Sequence, residues 1–166
     1  MDVTTELHYP SASVDQVYAL ALDEDFRAAV CVATGALQHQ VDVRRADDGS
    51  ASVTVRRTMP ADVPDFVRRF VGETIEIVQT EIWAPAAGAV RRQADLAVQI
   101  VGQPAALRGS LTIDASAHGA REMVRGELKV SIPLFGKKIE TEIAHGILAA
   151  ARKEEEVGRR WLADHP

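Results

Sequence analysis

The C-terminal stretch constrains this chain more than any other. From about Lys137 to Ala163, Ile139, Ile143, Ile147, Ala150, Val157 and Trp161 recur mostly at steps of three and four, interrupted by Glu154. That spacing predicts one long helix with an apolar flank, ~40 Å from end to end at 1.5 Å per residue. A flank of that length must be covered by something equally broad, and no other helical pattern in the chain is long enough. The covering surface has to be a sheet.

The rest of the sequence supplies the strands. Val3 to His8 alternates and Tyr9-Pro10 breaks the alternation. Ser13 followed by Gln16 has the form of a capping box, so a helix is expected from about Val14 to Leu22. Asp25 is placed to cap a second short helix carrying Phe26, Val30 and Cys31, which Gly35 ends. From Leu37 the period becomes two: Leu37, His39, Val41 and Val43 share one face, and Val53, Val55, Arg57 and Met59 resume the alternation after Asp47-Asp48-Gly49. A three-residue loop with Gly49 in the left-handed position pairs Val43 with Val53 and Val41 with Val55, keeping valine on one side of the hairpin.

Further strands are expected over Glu73 to Trp83, around Ala94, Leu96, Val98 and Ile100, and over Leu107–Ala117 and Ala120–Ile132. Within Glu73 to Trp83, Ile75 and Ile77 favour one phase while Val78 and Ile82 favour the other, which predicts a bulge or burial on both sides. For the last hairpin, a two-residue turn at His118-Gly119 pairs Ile113 with Val124 and Leu107 with Val130. Asp65 is placed to cap a short helix within PADVPDFVRRFVG, whose Phe66, Val67, Phe70 and Val71 form an apolar flank.

The resulting order is a strand, two short helices, six mostly antiparallel strands and a long C-terminal helix. It predicts an α+β fold, a curved seven-stranded antiparallel sheet wrapped on that helix. This order, together with YPSASVDQVYALALDEDFRAAVCVATG and the strand-to-helix passage SIPLFGKKIE, resembles the START-like, or SRPBCC, superfamily, which includes the birch-pollen allergens and polyketide cyclases, and the resemblance implies their helix-grip fold. SIPLFGKKIE and the C-terminal RRWLADHP look most similar to a bacterial branch of that superfamily with no assigned function. The resemblance covers nearly the whole chain and implies one START-like domain over residues 1–166. It also implies an apolar ligand held between sheet and helix, and in some members cyclisation or hydrolysis there.

Composition removes several other classes. The chain has 166 residues, is 46% hydrophobic and 26% charged, and carries a formal net charge of −5, against the basic surplus usual in nucleic-acid binders. The single cysteine, Cys31, rules out an internal disulfide framework and suits a reducing cytoplasm. The N-terminus MDVTTELHYP lacks the basic and apolar regions of an export signal, and no run approaches the ~20 apolar residues of a membrane span. The five histidines, His8, His39, His118, His145 and His165, never fall at a metal-ligand spacing. No GxGxxG or Walker pattern occurs. No metal or cofactor is therefore expected, and the expected partner is a hydrophobic small molecule.

Candidate binding residues follow from the inward phases. Val55, Leu96, Val98, Leu111, Ile113, Leu128, Ile143 and Ile147 would wall the cavity. His39 and Arg57, cross-strand neighbours on the valine face, and Arg92, in phase with Ala94 and Leu96, either emerge into solvent at strand ends or recognise a carboxylate or carbonyl at a pocket mouth. Gly146, on the apolar side of the long helix, permits either a close approach to the sheet or space for a ligand, since glycine there costs ~1 kcal/mol relative to alanine. Phe66 and Phe70, one helical turn apart, suit a lid at the cavity entrance or a helix that simply caps the core. Lys137 and Lys138, at a helix start where the dipole disfavours cations, are either solvated or poised for an anion. Three functions fit: a small-molecule binding protein, a cyclase or aromatase-type enzyme using His39 and Arg57, or an interaction module with a filled core.

Overall fold

The computed structural model describes residues 1–86 and 91–166. Its elements run β1 (Asp2–Pro10), α1 (Val14–Ala21), α2 (Glu24–Ala33), β2 (Gln38–Arg45), β3 (Ala51–Pro60), α3 (Asp65–Val71), β4 (Thr74–Trp83), β5 (Arg91–Ile100), β6 (Ala105–Ser116), β7 (Gly119–Val130) and α4 (Gly136–Asp164). All seven strands join one antiparallel sheet in the order β1-β7-β6-β5-β4-β3-β2. This is the helix-grip architecture, with α4 packed across β1 and β7 and against α2.

Local chemistry accounts for most boundaries. Ser13 and Gln16 form the reciprocal capping box at α1, with Ser13 Oγ accepting from Gln16 N at 3.1 Å and Gln16 Oε1 accepting from Ser13 N at 2.8 Å. Asp23, rather than Asp25, caps α2, its Oδ1 accepting from the backbone of Asp25 and Phe26. Asp65 is the first residue of α3 and not its cap; Pro64 holds that position without a side-chain bond. The β2–β3 hairpin turns as its valines require, with Val43 opposite Val53, Val41 opposite Val55, and Gly49 at φ 85°.

Two registers differ from expectation. The β6–β7 turn falls at Ala117-His118, so Ile113 faces Glu122 and Leu107 faces Leu128. A shift of two residues leaves the same side chains on the inner face, which is why the hydrophobic pattern does not discriminate between the two alignments. The observed one sets Gly109 opposite Gly126, where a Cβ on Gly109 would lie 1.9 Å from the Arg125 carbonyl oxygen. Only glycine admits that approach, and strands bend where it occurs. Strand β4 pairs with β3 without a break from Thr74 to Trp83, so there is no bulge in that pairing. Its inward phase is Ile77, Gln79, Glu81 and Trp83, and Ile82 simply faces outward at 51% exposure.

The main core joins β1 and the inner face of the sheet to α1, α2 and the second half of α4. Trp83 and Ile113 are fully buried there, each contributing roughly 1.5–3 kcal/mol. Tyr18 meets Trp83, and Phe26 meets Trp161, edge to face at 5.3 and 5.7 Å between ring centres. Edge strand β1 is covered by α4: Glu155 Oε2 accepts from His8 N at 2.8 Å, and Arg159 Nε donates to His8 O at 2.9 Å. A second, smaller core, built on Val67, Ala105, Val130 and Ile139, ties α3 to the start of α4.

Candidate functional site

Four charged side chains converge inside the grip. Arg27 comes from the buried side of α2, Glu81 from the inward phase of β4, Glu122 from that of β7, and Glu154 from the flank of α4. Arg27 is 5% exposed. Its Nη2 lies 2.6 Å from Glu81 Oε2, its Nη1 lies 3.6 Å from Glu154 Oε1, and its Nε donates to the Ala21 carbonyl at 3.0 Å. Glu81 also accepts from Trp83 Nε1 at 2.9 Å and Gln79 Nε2 at 2.7 Å. The carboxylate of Glu81 thus has three charged or neutral donors and no contact with solvent, the arrangement a buried charge requires.

The electrostatics follow from this crowding. Burial works against the charge on Arg27, but Glu81, Glu154 and Glu122 outweigh it and hold the guanidinium more firmly protonated. Glu122 is less well compensated: burial and the charge of Glu154 push its carboxyl up to about 8, with Arg27 pulling the other way. Glu154 is pushed up by burial and drawn back by Arg27. Burial, then Glu122 and Glu154, raise the Tyr9 phenol. Cys31 is raised by burial, with the Arg57 guanidinium opposing.

Beside this cluster lies a band of partly exposed apolar side chains. Val41, Val43, Val98 and Val124 on the sheet, and Ile143, Ala144, Ile147 and Ala151 on α4, pack against the main core without being sealed. Gly146 is exposed and faces open space, with nothing within 4 Å of where its Cβ would be. The close approach of α4 to the sheet occurs instead at Gly158, where a Cβ would lie 2.6 Å from Tyr9 Cε1. The second half of α4 therefore presses on β1 at Tyr9, and Gly146 lies on the solvent side of the helix rather than on its apolar side.

The remaining predicted residues divide by environment. Val55, Leu96, Leu111, Ile113 and Leu128 are at most 6% exposed and belong to the packed core, whereas Val98, Ile143 and Ile147 border the band just described. His39 and Arg57 are directly paired across β2 and β3; His39 is exposed on the edge strand and Arg57 is half-buried. Arg92 is held by Asp15 at 3.1 Å and lies 4.2 Å above the Tyr18 ring, linking β5 to α1. Phe66 and Phe70 rest on Phe135, the residue before α4, at 6.3 and 6.0 Å between ring centres. Lys138 sits 4.4 Å over Phe66, and Arg69 lies over both Phe70 and Phe135. One of the two lysines at the helix start is thus engaged by an aromatic face.

Two open clefts of about 500 and 480 Å³ lie at the surface, one at the β5–β6 connection lined by Gln99–Ala106, Lys129 and Ser131, the other at the start of α4 and including Met1, Leu134 and Lys137. Among the described residues no cluster of histidine, cysteine and carboxylate side chains is arranged to hold a metal ion. No described helix is long and apolar enough to cross a membrane.

Of the charged cluster the sequence pattern marks only Glu154, as an interruption of the α4 flank, although a wider signal exists. Glu81, Glu122 and Glu154 each interrupt an apolar face, and Arg27 lies beside Phe26 in α2. One such interruption is ordinary; three acids and an arginine on faces that converge form a network.

A curved antiparallel sheet wrapped on one long C-terminal helix, with short helices after the first strand, defines a helix-grip protein. The chain belongs to a family described as a protein of unknown function (DUF2505), whose model matches residues 4–162. Among curated proteins, none matches it. Solved structures share the fold at low identity. TTHA0849 from Thermus thermophilus is 16% identical with a TM-score of 0.63, over 95% of this chain and 97% of that one. SA2116 from Staphylococcus aureus, described as a protein of unknown function, is 14% identical with a TM-score of 0.60, over 98% and 96%. Human STARD10 is 10% identical with a TM-score of 0.60, over 99% of this chain and 66% of that one.

Proposed function

We propose that this chain is a small cytoplasmic binding protein of START-like type that holds an apolar or amphipathic molecule between the sheet and α4. The observation that carries this reading is the unsealed apolar band under the middle of α4, from Val98 and Val124 to Ile143 and Ile147. These side chains leave methyl surface partly exposed on both the sheet and α4, and covering it with apolar ligand surface would be favourable at roughly 25 cal/mol per Å². The fold likeness to human STARD10 and the wider START-like resemblance support the same reading. Phe66 and Phe70, resting on Phe135 at the start of α4, suit a lid over one end of this band. Binding is favoured over catalysis because His39, the acid-base candidate, stands exposed on the edge strand.

Native mass spectrometry of protein purified without detergent tests the proposal. A small-molecule adduct lost on denaturation is the expected result. Protein that emerges bare and takes up none of a panel of offered amphiphiles would overturn it.

A further inference from the structure

The passage from β7 into α4 is built at a local cost. Leu134 sits at φ 68°, the left-handed region that leucine disfavours, and its side chain is 99% exposed. It contributes nothing to packing there. Lys137 and Lys138 follow in the first turn of α4, where the helix dipole disfavours cations, and no acid stands in that turn to offset them. Asparagine or glycine at position 134, and glutamate at either lysine position, would suit the free protein better.

Hydrogen bonds draw three segments together at this end of the sheet. Ser131 N donates to the Pro104 carbonyl at 2.9 Å, and Gln103 Nε2 donates to the Phe70 carbonyl at 3.1 Å. The β5–β6 turn thus joins α3 to the end of β7, and its Val101 is exposed, as is Phe70 on α3. The run Lys129–Ile139 holds three of the chain's four lysines and no acid, and α3 adds Arg68 and Arg69. Arg69 lies over Phe70 and Phe135, and Lys138 over Phe66, so these cations stand among the apolar side chains. Among the described residues none of the five forms an ion pair. In the second half of α4, by contrast, Lys153, Arg159 and Arg160 all pair with glutamates. Exposed acids do occur in the flanking sequence, Asp62, Asp65 and Glu73 around α3 and Glu127 on β7, while Glu140 is held by Val130 N and the N-terminal amine.

We propose that Leu134 and Phe70, with Lys137, Lys138, Arg68 and Arg69 around them, dock this end of the molecule on an anionic lipid surface. A leucine on a tight turn enters the headgroup boundary as a wedge. Lysine and arginine stems lie along that boundary while their charges reach the phosphates. A protein partner fits less well, because lysine is depleted from such interfaces and their centres are apolar rather than interleaved with charge. The chain as a whole carries a net charge of −5, so an anionic surface repels its other faces and favours approach by this end. Docking of this kind requires no ligand between the sheet and α4.

Co-sedimentation of the full chain with vesicles of phosphatidylcholine alone, and of phosphatidylcholine mixed with phosphatidylglycerol, tests the proposal. Wild type is expected to bind the anionic vesicles about tenfold or more tightly than the neutral ones, and to be released by salt. Lys137→Gln/Lys138→Gln should weaken anionic binding about tenfold or more. Arg108→Gln/Arg125→Gln, which removes the same charge from exposed positions of β6 and β7, should leave it largely unchanged. Leu134→Asn should weaken binding about fivefold or more while keeping or raising the urea midpoint, since asparagine tolerates the left-handed region. Equal binding to both kinds of vesicle, or equal losses from the two charge pairs, would overturn the proposal. So would binding to neither, and a dimer in solution that Leu134→Asn dissolves would then assign the patch to a second copy of the chain.

Discussion

Arg27 Nη2 lies 2.6 Å from Glu81 Oε2, and neither side chain has appreciable contact with solvent. The pair joins α2 to the centre of the sheet, and its removal should be asymmetric. Arg27→Met strands a buried carboxylate and is expected to cost ~3–5 kcal/mol in urea unfolding. The double variant Arg27→Met/Glu81→Gln is expected to recover part of that loss, because the fully buried Glu81 charge is gone while the more exposed Glu154 still lacks its partner. A double variant no more stable than Arg27→Met would mean that the pair's effect lies in packing rather than charge.

Two glycines on α4 should respond in opposite directions. At Gly158 a Cβ would stand 2.6 Å from Tyr9 Cε1, so Gly158→Ala is expected to destabilise by ~1–3 kcal/mol. At Gly146 the same atom meets open space, so Gly146→Ala should stabilise the helix by up to ~1 kcal/mol. Thermal melts of the two variants check the pair, and equal shifts would contradict the account of how α4 sits on the sheet.

Glu122 makes stability depend on pH with a definite sign. Its carboxyl is raised from 4.5 to about 8 by folding, so the unfolded chain loses that proton first. The contribution is complete below about pH 4.5 and is lost progressively as pH rises towards about 8. Wild type should therefore lose stability relative to Glu122→Gln across that interval, as read from urea midpoints at several pH values. A difference between the two proteins that stays constant with pH would show that Glu122 is ionised in the folded state at neutral pH.

The α3 segment offers a dynamic test. Its contacts with α4 pass through Phe66, Phe70 and Phe135, and Phe70 is 39% exposed. If α3 opens to admit ligand, its amides should exchange faster than those of β7 in the free protein and gain protection with dodecanol bound. Amides as protected as those of β7 from the outset would identify α3 as a fixed cap.

The sequence made the architecture readable because its patterns are redundant. The period of three and four in α4, the Ser13–Gln16 box and the valine faces of β2 and β3 each point to the same answer. The β6–β7 register was not readable, since a slip of two residues keeps every face, and the glycine contact that favours the observed register exists only once the sheet has formed. The charged cluster was hidden for a related reason. Arg27, Glu81, Glu122 and Glu154 lie far apart along the chain, and each alone reads as one flaw in an apolar face. Gly146 and Gly158 look equivalent on a helical pattern, and only the crossing point of α4 over Tyr9 distinguishes them.

Methyl NMR tests the central claim, that the apolar band between the sheet and the middle of α4 is the binding site. On titration with dodecanol, the methyl signals of Val98, Val124, Ile143 and Ile147 are expected to shift together with one affinity, while those of the packed Leu128 and Ile113 move little. Shifts confined to Leu134 and Val101, beside the outer clefts, with Ile143 and Ile147 unmoved, would contradict it.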